Sequence, residues 1–450
     1  MNRIPALIAG CLVAAGVAAQ AADEEYRVYG DHPRLLLNAQ HLRLLKRERD
    51  RDSMRWRQFA LLVRAAAEMP EPGFDLGLYY VVTGDEGIGK RVADWAVGPG
   101  TDLRQLALVY DWCQPALGPA RSKTLAAKIR KLIEERPAET LADRRDRVLA
   151  AAALGDDTHA EAPILRDTVE HWWREVTAPA LAQGKSVPAP DELYALFELM
   201  HVVRDNLKIE LRDDAPEYFR SLATFQVLGN YPAPLGMPEN EYRVPVYTGT
   251  GLPSVDRATI ARAAGLASVA YDSNALGSQF LQGWLIQDRY MLQGTFGAPY
   301  EFFWANPYQP GLSYFQLPVL YHDEASGTLF VRSNWEDEAV WFGLYKGEAQ
   351  VFDNGEITVL NKTAPASGAP KTVSIGDVTI VVGRLPIKSP MPGDVAVIGL
   401  KPLSKYIVEI DDEEMQEMET DRVGTLLVGA PHAHIAGIRV HEPEGSAGGE

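Results

Sequence analysis

Tyr194, Glu198, His201 and Asp205 follow one another at intervals of four, three and four residues. At about 100° per residue that spacing sets them in one stripe of an α-helix. A histidine one turn from each of two carboxylates is an acid–base group, because Glu198 or Asp205 can orient the imidazole and raise its basicity. Arg204 and Asn206 add a cation and an amide near the end of the same helix. The stripe equally suits a salt-bridged face. A second group lies between Asn230 and Tyr247, where Tyr231 and Tyr242 offer phenols for proton transfer and Arg243 offers a cation for a carboxylate. Tyrosines in so Pro-rich a stretch also pack well on proline rings. The third is Phe296 to His322, rich in rings and prolines. Trp304, Tyr308 and Tyr314 present flat faces on which a sugar can stack, and Glu301 and Asn306 can bind hydroxyls. Rings in this number also suit the gluing together of two domains.

Other tempting features lack a partner or a spacing. His432 and His434 would share a strand face, but Pro431 places them at a turn and no third ligand is evident. The acidic run from Asp411 to Asp421 lacks the glycine and the alternate-oxygen spacing of a calcium loop, and reads as a solvated hairpin. There is no Gly-rich phosphate loop and no G-x-S-x-G elbow. No metal and no cofactor is expected.

The elements that must position these groups come in two kinds. With 450 residues, 46% of them apolar, the chain can form about two or three ordinary domains. A formal charge of −17, with no basic cluster along a helix face in the body of the chain, argues against nucleic acid. Met1 to Ala21 has the positive start, apolar run and small-x-small ending of a signal peptide. The expected location is therefore periplasmic or secreted, and a lipoprotein signal ending at Cys11 is the weaker reading. After cleavage Cys113 is the one cysteine left, so no disulfide is expected. No later stretch approaches the ~20 apolar residues of a membrane span.

Up to about residue 290, runs with helical periodicity are punctuated by Gly and Pro. They are expected at Ala39 to Arg49, Ser53 to Met69, Phe74 to Thr83, Glu86 to Val97, Asp102 to Leu117, Ala120 to Glu135, Leu141 to Leu154, Ala162 to Gln183, Pro190 to Ile209, Pro216 to Leu228, Val255 to Tyr271 and Gln279 to Leu292. Helix, short turn, helix, repeated without a strict motif, suggests stacked antiparallel pairs closing on a ring. After His322 come short β-branched runs such as Thr328 to Arg332, Val378 to Val382 and Asp394 to Ile398, spaced as in an antiparallel sandwich. The expected organisation is a signal segment (1–21), a helical domain (22–295), an irregular aromatic junction (296–322), a β-domain (323–441) and a frayed tail (442–450).

In this order the two halves resemble the heparinase II/III-like group. The likeness is carried by Asp31 to Leu37 (DHPRLLL), Tyr80 to Asp85 (YVVTGD), Leu106 to Trp112 (LALVYDW) and Gly327 to Trp335 (GTLFVRSNW). The resemblance implies an incomplete (α/α) toroid followed by a short antiparallel β-sandwich. It implies the class of polysaccharide lyases that cleave uronate polymers by elimination, with an acidic polysaccharide as partner. Such a reaction needs a group to neutralise the uronate carboxylate, a base for the C5 proton and an acid for the leaving oxygen. Arg204, Asn206 or Arg243 would serve the first role, and His201 with Tyr231 or Tyr242 the other two. One departure is plain: where members with metal carry a Gly-His-x-His-x-Asp segment, this chain has Gly347 to Asp353, with Glu348 and Gln350 at the histidine positions. That puts the zinc site and the reaction in question. A binding protein that has lost turnover, or a metal-independent hydrolase using Glu198 and Glu301, are the alternatives.

Overall fold

Helices begin where the sequence supplies caps. Asn38 opens α1 (Ala39–Asp50), its Oδ1 accepting from the backbone N–H of Gln40 and His41. Ser53 opens α2 (Met54–Arg64), and Pro72 lies in the first turn of α3 (Pro72–Thr83), which ends on the left-handed Gly84 at φ 74°. Asp85 and Asp102 cap α4 (Glu86–Val97) and α5 (Leu103–Trp112). Then follow α6 (Gln114–Glu135), broken at Gly118 where φ is 63°, and α7 (Leu141–Leu154), with a Thr140/Asp143 capping box. Next, α8 (Ala162–Arg166) continues through a π-helical stretch (Asp167–Thr177) into α9 (Ala178–Ala182). The helical part closes with α10 (Leu193–Leu207), α11 (Pro216–Leu228), α12 (Val255–Tyr271), α13 (Leu276–Leu285) and α14 (Gly294–Trp304).

The structure is a computed structural model that describes residues 25–155, 160–233, 254–286, 291–362, 371–382, 387–389, 393–410, 414–429 and 438–443. Met1 to Ala21, Tyr242, Arg243, His432 and His434 lie outside them. Among the described residues no helix is long and apolar enough to cross a membrane.

Helix contacts run from α3 to α5, α7, α10, α12 and α14, and α14 returns to α2 and α3. Helices on this path are covered on more than one side, so α5 and α10 are buried along nearly their whole length. The arm before α1 is pinned to α5: Asp111 accepts from the backbone N–H of Arg34 (2.9 Å) and Leu35 (2.8 Å), and Trp112 Nε1 donates to the Leu35 carbonyl (2.9 Å). Two of the segments that carried the family resemblance therefore meet in the fold.

The β-part forms three sheets. One is a meander, β1-β2-β3-β4-β5, of β1 (Leu320–Asp323), β2 (Thr328–Arg332), β3 (Trp341–Tyr345), β4 (Glu348–Asp353) and β5 (Glu356–Leu360). The second has order β12-β9-β7-β6, from β6 (Lys371–Ile375), β7 (Val378–Val382), β9 (Asp394–Ile398) and β12 (Leu426–Val428). The third has order β11-β10-β13-β8, from β8 (Ile387–Ser389), β10 (Lys405–Ile410), β11 (Glu414–Glu419) and β13 (Ile438–His441). Strand alternation assigns each layer. Phe330, Trp341, Tyr345 and Phe352 join the helical core, while Leu329, Val331, Phe342 and Leu344 meet Ile380 and Ala396 of the second sheet. On that sheet's far side Val381, Val395 and Val397 meet Tyr406, Val408 and Val440 of the third.

The order of helices then strands is as expected, but two expectations need correction. A plain antiparallel sandwich does not describe three stacked sheets in which β7 and β9 run parallel. Between them the chain leaves for the third sheet as β8, and such a crossover is what a parallel pair requires. The Phe296 to His322 stretch is not one irregular loop. Its first residues belong to α14, because burying Tyr300, Phe302, Phe303 and Trp304 outweighs the cost of Pro299 inside the helix. Its last residues belong to β1.

Candidate functional site

A cavity of about 610 Å³ opens where α1, α10 and α12 meet the end of α14 and the loop that follows it. α1 contributes His41, Arg43 and Arg47, α10 contributes His201, Arg204 and Asp205, and the α14 end and loop contribute Trp304, Asn306, Tyr308 and Gln309. Leu266 and Val269 of α12 form an apolar wall. Glycines let the loop lie against α13. Gly283 and Gly311 are in backbone contact, and a Cβ on Gly283 would stand 1.8 Å from the Leu312 carbonyl oxygen. Gln282 Nε2 donates to the carbonyls of Asn306 (3.1 Å) and Gln309 (3.2 Å), and the Leu312 N–H donates to Gln279 (2.9 Å). Gly283→Ala is therefore expected to displace this wall, lowering stability by about 1–3 kcal/mol and weakening ligand binding, as a thermal melt and a titration would show.

Three arginines and one carboxylate, Asp205, line the cavity. Arg204 is committed: it lies over the Tyr271 ring (3.9 Å to the centroid), donates to the Tyr271 carbonyl, and pairs with Asp205 (3.1 Å). Arg43 and Arg47 are exposed, and among the described residues neither has a carboxylate partner. Arg47 covers one face of Tyr308 at 3.8 Å. The Tyr308 hydroxyl donates to buried Glu48 and accepts from Arg51 (3.2 Å), while the residue remains 42% exposed.

Trp304 forms the floor. Only 4% exposed, it lies against His201 (centroids 5.0 Å apart) and His41 (5.8 Å). Its Nε1 donates to Tyr194 Oη (3.0 Å), whose own proton goes to Glu198 Oε1 (2.6 Å). Behind that bond is a buried charge network. Arg104 donates to Glu198 from Nε (2.9 Å) and from its second terminal nitrogen (2.8 Å), Arg145 also donates to Glu198, and Glu71 accepts from Arg104 (3.2 Å) and from Tyr300. Burial opposes ionisation of Glu198, but Arg104 and Arg145 hold its carboxyl below the usual range. Asp75, four residues after Glu71, is pushed well above the usual range by burial and by Glu71, which outweigh the opposing pull of Arg104.

The structure gathers His201, Arg204, Asp205, Trp304, Asn306 and Tyr308 at one cavity and leaves Tyr194, Glu198, Asn206, Tyr231, Glu301 and Tyr314 out of its lining, while Tyr242 and Arg243 lie outside the described residues. The His201 ring is oriented by neither carboxylate. Glu198 belongs to Arg104 and Arg145, Asp205 belongs to Arg204, and His201 Nε2 meets the Ala267 carbonyl (3.0 Å). Burial pushes the His201 pKa down to about 4, opposite to the raised basicity its helical stripe suggested. Asn206 is spent on the carbonyls of Val202 (2.9 Å) and Arg34 (3.3 Å). Glu301 is buried between Arg55 and Arg262, each at 3.3 Å, so it faces cations rather than a sugar. Tyr314 is buried, stacked on Phe315 and edge-on to Trp335. Tyr231 packs on Phe352 and Trp341 of the first sheet and donates to Gln350 Oε1 (2.9 Å), and burial raises its pKa. Gln350 thus serves as a buried acceptor at the helix–sheet contact. Among the described residues no cluster of His, Cys, Asp or Glu could hold a metal ion.

Sequence reasoning missed His41, Arg43 and Arg47, and a signal was present. Arg43, Arg47 and Arg51 recur every fourth residue. Like charges at that spacing destabilise a helix by about 0.2–0.5 kcal/mol per pair. A basic ladder on an acidic protein therefore corrects the expectation that no helix face carries clustered cations.

No protein-family model and no curated protein matches the chain. Among solved structures it is similar to one described as a glycoside hydrolase, at 10% identity and a TM-score of 0.31, over 82% of this chain and 71% of that one. It is also similar to a GH127 beta-arabinofuranosidase, at 11% identity and a TM-score of 0.32, over 93% of this chain and 79% of that one. Neither likeness singles out the heparinase II/III-like group.

Proposed function

We propose that this is an exported carbohydrate-active protein whose cavity captures an acidic, uronate-containing unit of a polysaccharide, and that capture rather than turnover is its role. The observation that carries the reading is the pair Arg43 and Arg47, one turn apart, exposed and, among the described residues, without ion-pair partners, at the same cavity as Trp304, Asn306 and Gln309. Guanidinium forks suit carboxylates, and a cavity of this size lies within the roughly 300–1,000 Å³ range of small-ligand sites. The histidines support binding over chemistry. His201 Nε2 is used by Ala267 and its Nδ1 faces Arg204 at 3.4 Å, while both nitrogens of His41 meet carbonyls. Neither ring offers a nitrogen to a sugar proton.

Eliminative cleavage remains the second reading, and Tyr308 is what favours it. Its phenol, half exposed at the cavity, carries Arg47 on its ring face, accepts from Arg51 and donates to Glu48, so a hydroxyl already hydrogen-bonded to a carboxylate stands where a proton would have to move. The test uses the purified chain with oligogalacturonate, alginate and heparan, and with a neutral cello-oligosaccharide as control. Calorimetry is expected to show binding of an acidic member and not of the control, with no growth of absorbance from C4=C5 double bonds. Growing absorbance would replace capture by elimination, new reducing ends without absorbance would mean hydrolysis, and no binding by any acidic member would overturn the reading.

A further inference from the structure

Among the described side chains of the cavity, His41 is the one whose hydrogen bonds do not suit its neutral form. Its Nδ1 lies 2.9 Å from the Leu36 carbonyl oxygen and its Nε2 lies 2.6 Å from the Phe303 carbonyl oxygen. Carbonyl oxygens only accept, and a neutral imidazole carries a single N–H. A neutral ring would therefore aim a lone pair at one of the two oxygens, whereas an imidazolium donates to both. Neither oxygen is free to withdraw. Leu36 ends the arm pinned by Asp111 and Trp112, and Phe303 is wedged between Phe74 and Trp112, with ring centroids 5.6 Å from each. Burial disfavours the charged ring in the empty cavity, and the two carbonyls and Asp205 act against burial.

We propose that His41 is the third cation of the anion site, beside Arg43 and Arg47, and that a sugar carboxylate binds there together with one proton taken up by the His41 ring. The inference rests on the reading of the cavity as an anion site. The charged and titratable groups around the ring are Asp205, His201 and Arg204 from α10, and Arg43 and Arg47 from its own helix. Phe303 and Trp304 of α14 bring only uncharged rings and a carbonyl. Against three arginines the set holds the single carboxylate Asp205, so a bound carboxylate adds negative charge and offsets the cost of burying the imidazolium. His201, down at about 4, stays neutral through the range in which His41 would charge.

The consequence is a linkage of known sign. Where the empty site is neutral and the occupied site is protonated, affinity falls as pH rises, by at most about tenfold per pH unit for one proton. For oligogalacturonate, the dissociation constant is expected to weaken at least threefold between about pH 5 and about pH 7.5. Calorimetry in buffers of different ionisation enthalpy should show uptake of a fraction of one proton. His41→Gln, which keeps one donor and one acceptor, should bind with a flat pH profile. Nitrogen-15 shifts of the His41 ring supply a readout that does not depend on a variant folding, and they should move from a singly to a doubly protonated pattern as ligand is added. Binding with no proton uptake and an unchanged ring would overturn this inference and leave the anion site standing. No binding at any pH would overturn both.

Discussion

Glu198→Gln is expected to lower stability by about 3–5 kcal/mol, the usual consequence of removing one partner from a buried ion pair. Glu198 is fully buried and balances two guanidinium groups, Arg104 and Arg145, that have themselves left water. Glutamine fills the same space but leaves Arg104 with only Glu71 and Arg145 with only Asp146 to balance it among the described residues, and its amide cannot take two charged donors as well as the Tyr194 hydroxyl. The thermal midpoint should fall on the order of 5–10 °C. The effect also has a pH signature. Because the folded carboxyl is held below its unfolded value, its contribution is fully present above the unfolded pKa and is lost as pH falls through the folded one. Wild type and variant should therefore differ throughout the neutral range and converge only in acid. A melt showing less than about 1 kcal/mol of difference at neutral pH would mean that the network does not hold the interior as described. Trp304 depends on it too, since its Nε1 bond ends on Tyr194 and so on Glu198.

Arg43→Ala combined with Arg47→Ala should leave the fold in place and remove the ligand. Both residues are exposed, and the one described contact at stake is the Arg47 guanidinium on Tyr308, so stability should change by about 1 kcal/mol at most. Affinity is another matter. Hydrogen bonds to charged groups contribute roughly 1.5–3 kcal/mol each, and after discounting for exposure the pair should account for about a hundredfold in Kd, near 2.7 kcal/mol. The double lysine variant separates charge from geometry. It keeps both positive charges but loses the planar fork, so it should fall between wild type and the double alanine variant. Its residual binding should be the more sensitive to salt. A double alanine variant that binds oligogalacturonate as tightly as wild type would show that the anion is held elsewhere.

What was legible in the chain follows from which forces act locally. The caps Asn38, Ser53, Asp85 and Asp102 and the stop at Gly84 are encoded within a turn of where they act, so most helix bounds in the first half could be read directly. The α14 helix could not, because Pro299 argues against it locally and only the packing of Phe302 and Phe303 on Phe59 and Phe74 decides the matter. Strand alternation was hidden in Val378 to Val382 for a related reason. Both faces of that strand are covered by other sheets, so every position is buried, all but Thr379 are apolar, and the period of two disappears.

The site divides in the same way. His201, Arg204, Trp304, Asn306 and Tyr308 carried types and spacings that suggested sugar chemistry, and they share one cavity. Glu301 had an equally suggestive type, but Arg55 and Arg262 come from helices far away in sequence, and nothing near Glu301 announces them. Arg43 and Arg47 show the converse. They read as an ordinary solvated face until the α14 loop is brought across from more than 250 residues away, as the Arg51–Tyr308 contact records. His41 is legible only in three dimensions, since its meaning lies in two carbonyls, one of them on Phe303.

The most direct measurement is a crystal structure grown with oligogalacturonate. The account predicts a sugar unit in the cavity closed by the Asn306 to Gln309 loop, with its carboxylate between Arg43 and Arg47. An empty cavity with the oligosaccharide bound at another surface would contradict it.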